Sequence, residues 1–170
     1  MRIFTIGFTK KSAQEFFEGL RDNGVKRVVD VRLNNVSQLA GFSKRDDLAY
    51  FLRQICNIDY VPMPVLAPTP EILTAWQRKQ ITWSTYEARF LELLRQRRVE
   101  ETVPKELFTE ACLLCSEDSP ARCHRRLVAK YLQTHWSDVK IIHLCKFTVH
   151  NEAVLRGEGD VEIIYLCKSG

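Results

Sequence analysis

The sequence predicts an α/β fold with a mostly parallel sheet and helices on both of its faces. Apolar, often β-branched runs alternate along the chain with segments that have helical spacing and helix-start signals. Helices placed between apolar strands are crossover connections, and these join parallel strands. The chain has 170 residues, of which 45% are hydrophobic, so it can bury the core of one domain. We therefore predict a single domain over residues 1–170.

The first elements follow the pattern of strand, helix and strand. Arg2–Ile6 is a short apolar run that predicts a strand ending at a glycine. Ser12 and Glu15 have the spacing of a capping box, so a helix is expected to begin there and to end at Asn23-Gly24. Val25–Leu33 contains Val28, Val29 and Val31, a β-branched run that predicts a buried parallel strand.

A second helix is expected to begin at Ser43, since Asp46 follows at capping-box spacing. Its predicted apolar face consists of Leu48, Phe51, Leu52 and Ile55. The next strand is Ile58–Val61, which Pro62 should end because proline cannot donate to a strand ladder.

Two further helices are predicted before the chain returns to the sheet. Thr69-Pro70 is a favourable helix start, with proline at the first helical position. Ser84 and Glu87 predict another capping box, ahead of an apolar stripe at helical spacing. That stripe consists of Tyr86, Phe90, Leu93 and Leu94.

The remaining elements are a strand over Ala111–Cys115, a helix from about Cys123 to Thr134 and a strand over Ile141–Leu144. Val161–Leu166 predicts a C-terminal edge strand, reached through a looser segment that holds Gly157 and Gly159.

The composition predicts a soluble, cytoplasmic protein without a membrane partner. No apolar run has the length of a bilayer span, and the N-terminal segment has the pattern of a strand rather than of a signal peptide. The six cysteines are expected to be reduced thiols, because a domain of this size needs no disulfides. A net charge of +4 permits binding of phosphate or nucleic acid without requiring it. No glycine-rich phosphate loop or dinucleotide fingerprint is present, so no cofactor is predicted.

Asp30 and Arg32 are the first candidate site residues. Ligands of parallel sheets bind beyond the carboxyl ends of the strands, and these two residues lie at such an end. Their alternation places both side chains on one face of the strand, where burial is costly unless the charges are paired. They are therefore either a structural ion pair or a ligand-processing pair. The second interpretation predicts that Asp30→Asn folds without activity.

The second candidate stretch runs from Cys115 to Arg126, where a strand leads through a polar turn into a helix. Its arginines, Arg122, Arg125 and Arg126, can hold an anion at the helix N-terminus. Cys115 or Cys123 can act as a nucleophile if the positive groups lower the thiol pKa. His124 can carry a proton and Glu117 can serve as general acid or base. The alternative is that the cysteines fill the core and His124 caps the helix.

Two other interpretations of these and neighbouring residues are open. Cys112, Cys115, Cys123 and His124 form a set of four zinc-ligand types, although residues three apart on a strand face opposite ways. The aromatic residues Trp76, Trp83, Tyr86 and Phe90 can stack on bases, but their helical spacing favours core packing.

Four short motifs resemble the domain-of-unknown-function 488 family. These are Thr5-Ile6-Gly7, Val29-Asp30-Val31-Arg32, Gly41-Phe42-Ser43-Lys44, and Leu114-Cys115-Ser116-Glu117 followed by Cys123-His124-Arg125. The resemblance covers residues 3–144 and leaves 145–170 as a C-terminal extension. It implies an α/β fold and carries over Asp30, Arg32, Cys115 and Glu117 as catalytic candidates. The implied substrate-binding candidates are Cys123, His124, Arg125, Thr5, Gly7 and Ser43.

The chain departs from the family pattern at Phe8, where histidine or tyrosine is common, and at Asn35 and Gln38. A weaker resemblance is to rhodanese-type sulfurtransferases, which also place a Val-Asp-Val-Arg strand beside a cysteine loop. Here six residues rather than five separate Cys115 from Arg122, and Pro120 lies between them.

We therefore expect the two stretches to share one pocket, and three functions are compatible with it. The first is an enzyme acting on an anionic substrate, a nucleotide or nucleic-acid component, with Arg32 and Arg125 positioning the anion. The second is a non-enzymatic module that binds a ligand or nucleic acid. The third is a cysteine-based metal-binding, redox or sulfurtransferase-like protein. The sequence specifies neither the reaction nor the oligomeric state.

Overall fold

Six parallel strands form one sheet in the computed structural model, which describes residues 1–36, 41–146 and 161–166. The strands are β1 (Arg2–Gly7), β2 (Arg27–Asp30), β3 (Asp59–Pro62), β4 (Ala111–Cys115), β5 (Lys140–Cys145) and β6 (Val161–Tyr165). Their order across the sheet is β3-β2-β4-β1-β5-β6, and each neighbouring pair is parallel. The predicted α/β fold with a C-terminal edge strand is confirmed.

Within the described residues, six α-helices connect or flank the strands. They are α1 (Ala13–Asp22), α2 (Arg45–Phe51), α3 (Pro70–Gln77), α4 (Trp83–Gln96), α5 (Val99–Thr102) and α6 (His124–His135). The predicted capping box of α1 is present, with reciprocal bonds between Ser12 and Glu15. Thr69 caps α3 ahead of Pro70, also as predicted. Gly24 follows α1 with a φ of 72°, the left-handed conformation that glycine adopts at little cost.

The core has two layers, one on each face of the sheet. One layer packs α4 and α6 against alternate strand residues that include Ile3, Val29 and Leu113. The other packs α1 and α2 against the intervening residues, among them Val28 and Leu114. Because side chains alternate along a strand, neighbouring residues at a strand end belong to opposite layers.

Three local predictions differ from the structure. β2 ends at Asp30 rather than at Leu33, because the backbone N–H of Arg32 donates to the Asp30 carboxylate instead of to a neighbouring strand. Helix α2 begins after Lys44, since Ser43 belongs to a 3₁₀ turn. Helix α4 is capped by Thr82, whose hydroxyl accepts from the Thr85 N–H, so Ser84 is not its cap.

A change of helical period explains a fourth difference. Helix α2 continues into a π-helical turn over Leu52–Cys56, which rotates the following side chains away from the period of 3.6 residues. Ile55, which was predicted to be in the core, is 52% exposed as a result. Gly157, Gly159 and Gln38 lie outside the described residues, as does Cys167. No helix within the described ranges combines the length and the apolar character of a membrane span.

The carboxyl ends of the strands meet at one edge of the sheet. Gly7 of β1 pairs in register with Cys115 of β4, and Asp30 of β2 pairs with Leu114 of the same strand. The loops that leave these strand ends run next to one another. The two candidate stretches are therefore brought together, as we expected.

Candidate functional site

A cleft of about 340 Å³ opens at this edge of the sheet. Five of the predicted site residues line it, namely Arg32, Cys115, Glu117, Cys123 and His124. The other walls include Leu73 and Trp76 of α3, Trp83 and Tyr86 of α4, and Arg122 from the loop before α6. A cleft at the carboxyl ends of parallel strands is the usual place for a ligand in this type of fold.

Asp30 and Arg32 form a buried, bidentate ion pair beside the cleft. Arg32 Nε lies 2.8 Å from Asp30 Oδ1, and Arg32 Nη2 lies 2.7 Å from Asp30 Oδ2. The hydroxyl of Tyr60 also donates to the carboxylate, and burial followed by this hydrogen bond raises the pKa of Tyr60. The structural ion pair that the sequence left open is present, and its arginine faces the cleft.

The position of Asp30 on the sheet explains why only its partner reaches the cleft. Its register neighbour Leu114 belongs to the layer of α1 and α2, whereas Cys115 is one residue further on and faces the layer of α4 and α6. The guanidinium of Arg32 extends beyond the strand and donates through Nη1 to the carbonyl of Ser43, at 2.9 Å. It also lies 5.3 Å above the ring of Phe8, so the residue that departs from the family pattern forms a cation–π contact.

The sulfur of Cys115 lies among hydrogen-bond donors at the floor of the cleft. The sulfur of Cys123 lies within 4.8 Å of it, and the backbone N–H groups of Ser116 and Glu117 favour its thiolate form. The hydrogen bond from Cys123 is the largest effect on its pKa. Together with the charge of Arg125 and the N–H groups, it lowers the pKa of Cys115 against the opposing effect of burial. Cys115 is thus the thiol that ionises first, and burial raises the pKa of Cys123.

His124 is held by the loop that follows β2. Its Nε2 lies 2.8 Å from the carbonyl oxygen of Val31, which can only accept, so this nitrogen carries a hydrogen. The Cys115 sulfur lies 3.7 Å from Nδ1 and 3.9 Å from Nε2. A sulfur that lay along the lone-pair axis of Nδ1 would be much further from Nε2 than from Nδ1. The contact is therefore not an in-line hydrogen bond to the free nitrogen.

Arg125 lies beneath the cleft and fastens its loop. The side chain is fully buried and donates to the carbonyl oxygens of Glu117 and Asp118 and to the Thr5 hydroxyl. These partners are uncharged and do not neutralise the guanidinium, so its positive charge favours the thiolate form of the adjacent cysteines. Its role in the described geometry is to shape the loop and to favour the Cys115 thiolate.

Gly7 allows this loop to approach β1. A Cβ atom on Gly7 would lie 1.7 Å from the carbonyl oxygen of Glu117, closer than any real contact. The loop is further fixed by Thr9, which donates to the Ser116 carbonyl, and by a buried ion pair between Lys11 and Asp118. The N–H groups that face Cys115 are therefore held in place before any ligand binds.

Thr5 connects Arg125 to a buried histidine. Its hydroxyl accepts from Arg125 Nε and lies 2.7 Å from His143 Nδ1. Burial, followed by the charges of Arg125, Arg126 and Lys130, lowers the pKa of His143 to about 3. His143 is therefore neutral at physiological pH and accepts the Thr5 hydrogen at Nδ1.

The cleft has an aromatic wall that the sequence interpretation assigned to the core. Trp83 stacks on Tyr86, with ring centroids 5.1 Å apart, and Trp76 meets Trp83 edge-on at 5.4 Å. Tyr86 and Phe90 are buried as predicted, and Phe90 supports the ring of His124. Trp76 and Trp83 are only partly buried and face the cleft. Their location in the connection after β3, which ends at the same sheet edge, was the available signal.

The predicted site residues thus fall into two groups. Arg32, Cys115, Glu117, Cys123 and His124 line the cleft, while the supporting residues are Asp30, Thr5, Gly7, Ser43 and Arg125. Each supporting residue contacts the strand ends or loops from which the lining residues extend.

Three side chains of the cleft carry metal-ligand atoms. Those of Cys115, Cys123 and His124 all lie within 4.8 Å of one another, whereas Cys112 faces the opposite core layer. A zinc ion needs sulfur at about 2.3 Å and nitrogen at about 2.0 Å on its lone-pair axis. The Cys115 sulfur is nearly equidistant from the two ring nitrogens of His124, so it does not lie along the lone-pair axis of Nδ1, and Nε2 is hydrogen-bonded to the Val31 carbonyl. The described geometry therefore does not fit such an ion.

Comparison with known proteins gave one match. A family model described as "Domain of unknown function DUF488" matches residues 12–132, which is most of the chain. The match contains both candidate stretches and lies inside the range 3–144 that the motifs indicated. No curated protein and no solved structure matches the chain.

Proposed function

The chain belongs to the DUF488 family, and we propose that it is an enzyme in which the Cys115 thiolate attacks an anionic substrate, a nucleotide or a nucleic-acid component. The observation that carries this proposal is the set of donors around one cleft-lining sulfur. A thiolate is the reactive form of cysteine, and positive groups and backbone N–H donors favour it. Cys115 has both, while the neighbouring Cys123 keeps its proton.

Two arginines support recognition of an anion. Arg32 is held in one orientation by Asp30 and by the Ser43 carbonyl, and the exposed Arg122 lines the same cleft. A guanidinium that is fixed before binding loses little conformational freedom when it pairs with a phosphate. In this proposal Asp30 is a positioning residue for Arg32.

The aromatic wall supports a substrate that carries a planar ring. Trp76 and Trp83 present partly exposed rings beside the arginines. Stacking of a base on an aromatic side chain contributes about 1–3 kcal/mol. With a phosphate at the arginines and a base at the tryptophans, the Cys115 sulfur would form a bond to phosphorus while the bond from phosphorus to the sugar oxygen breaks. Glu117, exposed at the same rim, would give or take the proton of the leaving group.

Alkylation with iodoacetamide tests the nucleophile. The lowered pKa predicts that Cys115 is alkylated faster at pH 7 than an ordinary thiol, and before the buried Cys112 and Cys145. Peptide mass spectrometry locates the modified residue, and Cys145→Ser is the matched control. Alkylation of Cys115 that requires a pH of 9 or above would refute the proposal.

Nucleoside monophosphates test the substrate class. They should protect Cys115 from alkylation and quench tryptophan fluorescence, and Trp83→Phe and Arg122→Ala should weaken both effects. Arg89→Ala, on the exposed side of α4, is the control and should change neither. Turnover of a bound nucleotide should stop in Cys115→Ser. If Cys115→Ser binds equally well and the wild type turns nothing over, the protein is a binding module instead.

A further inference from the structure

A thiol with a lowered pKa and a thiol with a raised pKa lie next to each other at the floor of the cleft. The sulfurs of Cys115 and Cys123 are within 4.8 Å of each other, and the Cys123 thiol favours the thiolate form of Cys115. Both are free thiols. A low-pKa, cleft-facing thiolate beside a second thiol is the arrangement of cysteines that oxidise reversibly.

The backbone allows the second sulfur to move. Cys123 precedes α6 in an extended conformation, with a φ of −134°, and its side chain makes no capping hydrogen bond to the helix. A disulfide needs its two sulfurs at about 2.05 Å, so the Cys123 side chain must rotate toward Cys115 for this bond to form. Cys115 ends β4, so its backbone is fixed by the sheet.

We propose that Cys115 is a site of oxidation by hydroperoxides and that Cys123 captures the oxidised sulfur as an intramolecular disulfide. The inference rests on the proposed function, because it uses the same thiolate. In the first step the thiolate attacks a peroxide oxygen: an S–O bond forms, the O–O bond breaks, and the alkoxide leaves and takes up a proton as an alcohol, or as water from hydrogen peroxide. Cys115 becomes a sulfenic acid, oxidised by two electrons.

In the second step Cys123 attacks the Cys115 sulfur. The S–S bond forms, the S–O bond breaks, and the hydroxide leaves as water with the Cys123 proton. The disulfide removes the nucleophile from the cleft until a dithiol reduces it. Without Cys123 the sulfenic acid would persist and oxidise further, irreversibly.

Peptide mapping after treatment with one equivalent of hydrogen peroxide tests the inference. Trypsin cleaves after Arg122 and so separates Cys123 from the peptide that contains Cys112 and Cys115. We expect the wild type to lose two thiols, to give one cross-linked peptide joining Cys115 to Cys123, and to recover both thiols with dithiothreitol. Cys123→Ser should lose one thiol and give a dimedone adduct on Cys115. Cys145→Ser should behave as the wild type.

A dimedone adduct on wild-type Cys115 without the cross-linked peptide would overturn the inference, as would a cross-link through Cys112. If Cys123→Ser does not fold, Cys123→Ala and the wild-type peptide map still decide. The alkylation experiment separates the two proposals. A slow reaction of Cys115 with iodoacetamide refutes the proposed function, whereas fast alkylation without disulfide formation refutes only this inference. Stoichiometric zinc that blocks both reagents would refute both.

Discussion

Replacing Asp30 by asparagine should destabilise the protein strongly. The carboxylate is buried and accepts from the backbone N–H and two guanidinium nitrogens of Arg32 and from the Tyr60 hydroxyl. In Asp30→Asn one oxygen becomes an NH₂ group that faces Arg32 Nη2, so a charge-assisted bond becomes a contact between two donors. Hydrogen bonds to charged groups contribute about 1.5–3 kcal/mol each. Breaking a buried ion pair costs about 3–5 kcal/mol, because one charge is left unpaired.

Urea unfolding followed by circular dichroism measures this loss. With a slope of about 2 kcal/mol per molar, the midpoint should fall by about 1.5–2.5 M. Asp59→Asn is the matched control, because Asp59 pairs with Arg27 and Arg53 at the surface and such pairs contribute less than about 1 kcal/mol. The double variant Asp30→Asn/Arg32→Met should lose less free energy of unfolding than the two single variants lose together, because it leaves no buried charge unpaired.

A midpoint for Asp30→Asn within 0.5 M of the wild type would refute this reasoning. Such a variant, if it also lacked activity, would favour the direct catalytic role that the sequence first suggested for Asp30. At urea concentrations where Asp30→Asn remains folded, a positioning role predicts weaker nucleotide binding with an unchanged rate of Cys115 alkylation.

Three further predictions concern the loop and the buried charges. Gly7→Ala must push the Glu117 carbonyl from 1.7 Å to beyond 3.0 Å, so we expect a loss of about 1–3 kcal/mol and slower Cys115 alkylation. Gly41→Ala meets no atom within 4 Å, and an equal effect there would contradict the explanation. Arg125→Met should raise the pKa of Cys115, so the rate of Cys115 alkylation should rise at higher pH than in the wild type. An unchanged pH profile of alkylation would exclude the charge of Arg125 as a cause of the lowered pKa. The unfolded chain protonates His143 near pH 6.5 but the folded chain only near pH 3. The free energy of unfolding should therefore fall by about 1.4 kcal/mol per pH unit from 6.5 to 3, a slope that His143→Gln should lack.

The regular elements were predictable because their signals are local. The apolar run of β4 and the capping box at Ser12 depend only on neighbouring residues, and both are present as predicted. The predicted cap of α4 was wrong because Thr82 caps the helix in place of Ser84, and the predicted cap of α2 was wrong because Ser43 belongs to a 3₁₀ turn. The carbonyl of Ser43 instead accepts from Arg32, which lies in a different segment of the chain. A contact of that kind has no local signature.

The site was predictable in outline but not in its division of roles. Alternation along β2 identified Asp30 and Arg32 as a pair, yet only the register with β4 shows that the carboxylate faces away from Cys115. Trp76 and Trp83 have the spacing of core residues, and packing alone decides that their rings remain partly exposed. Arginine is a residue type that often binds anions, but the guanidinium of Arg125 donates its hydrogen bonds to carbonyl oxygens of the loop.

The order of the strands has a consequence for synthesis of the protein. β1 pairs with β4 and β5, so within the described sheet it has no partner until residue 111 has emerged. Synthesis proceeds at about 5–20 residues per second, so roughly 5–20 s pass between the synthesis of β1 and that of β4. The apolar edge of β1 is unpaired during this interval. Closure of such a distant pair is slow, and a nascent edge of this kind is prone to aggregate. The same pairing aligns Gly7 with Cys115, so the cleft cannot form in any shorter nascent chain.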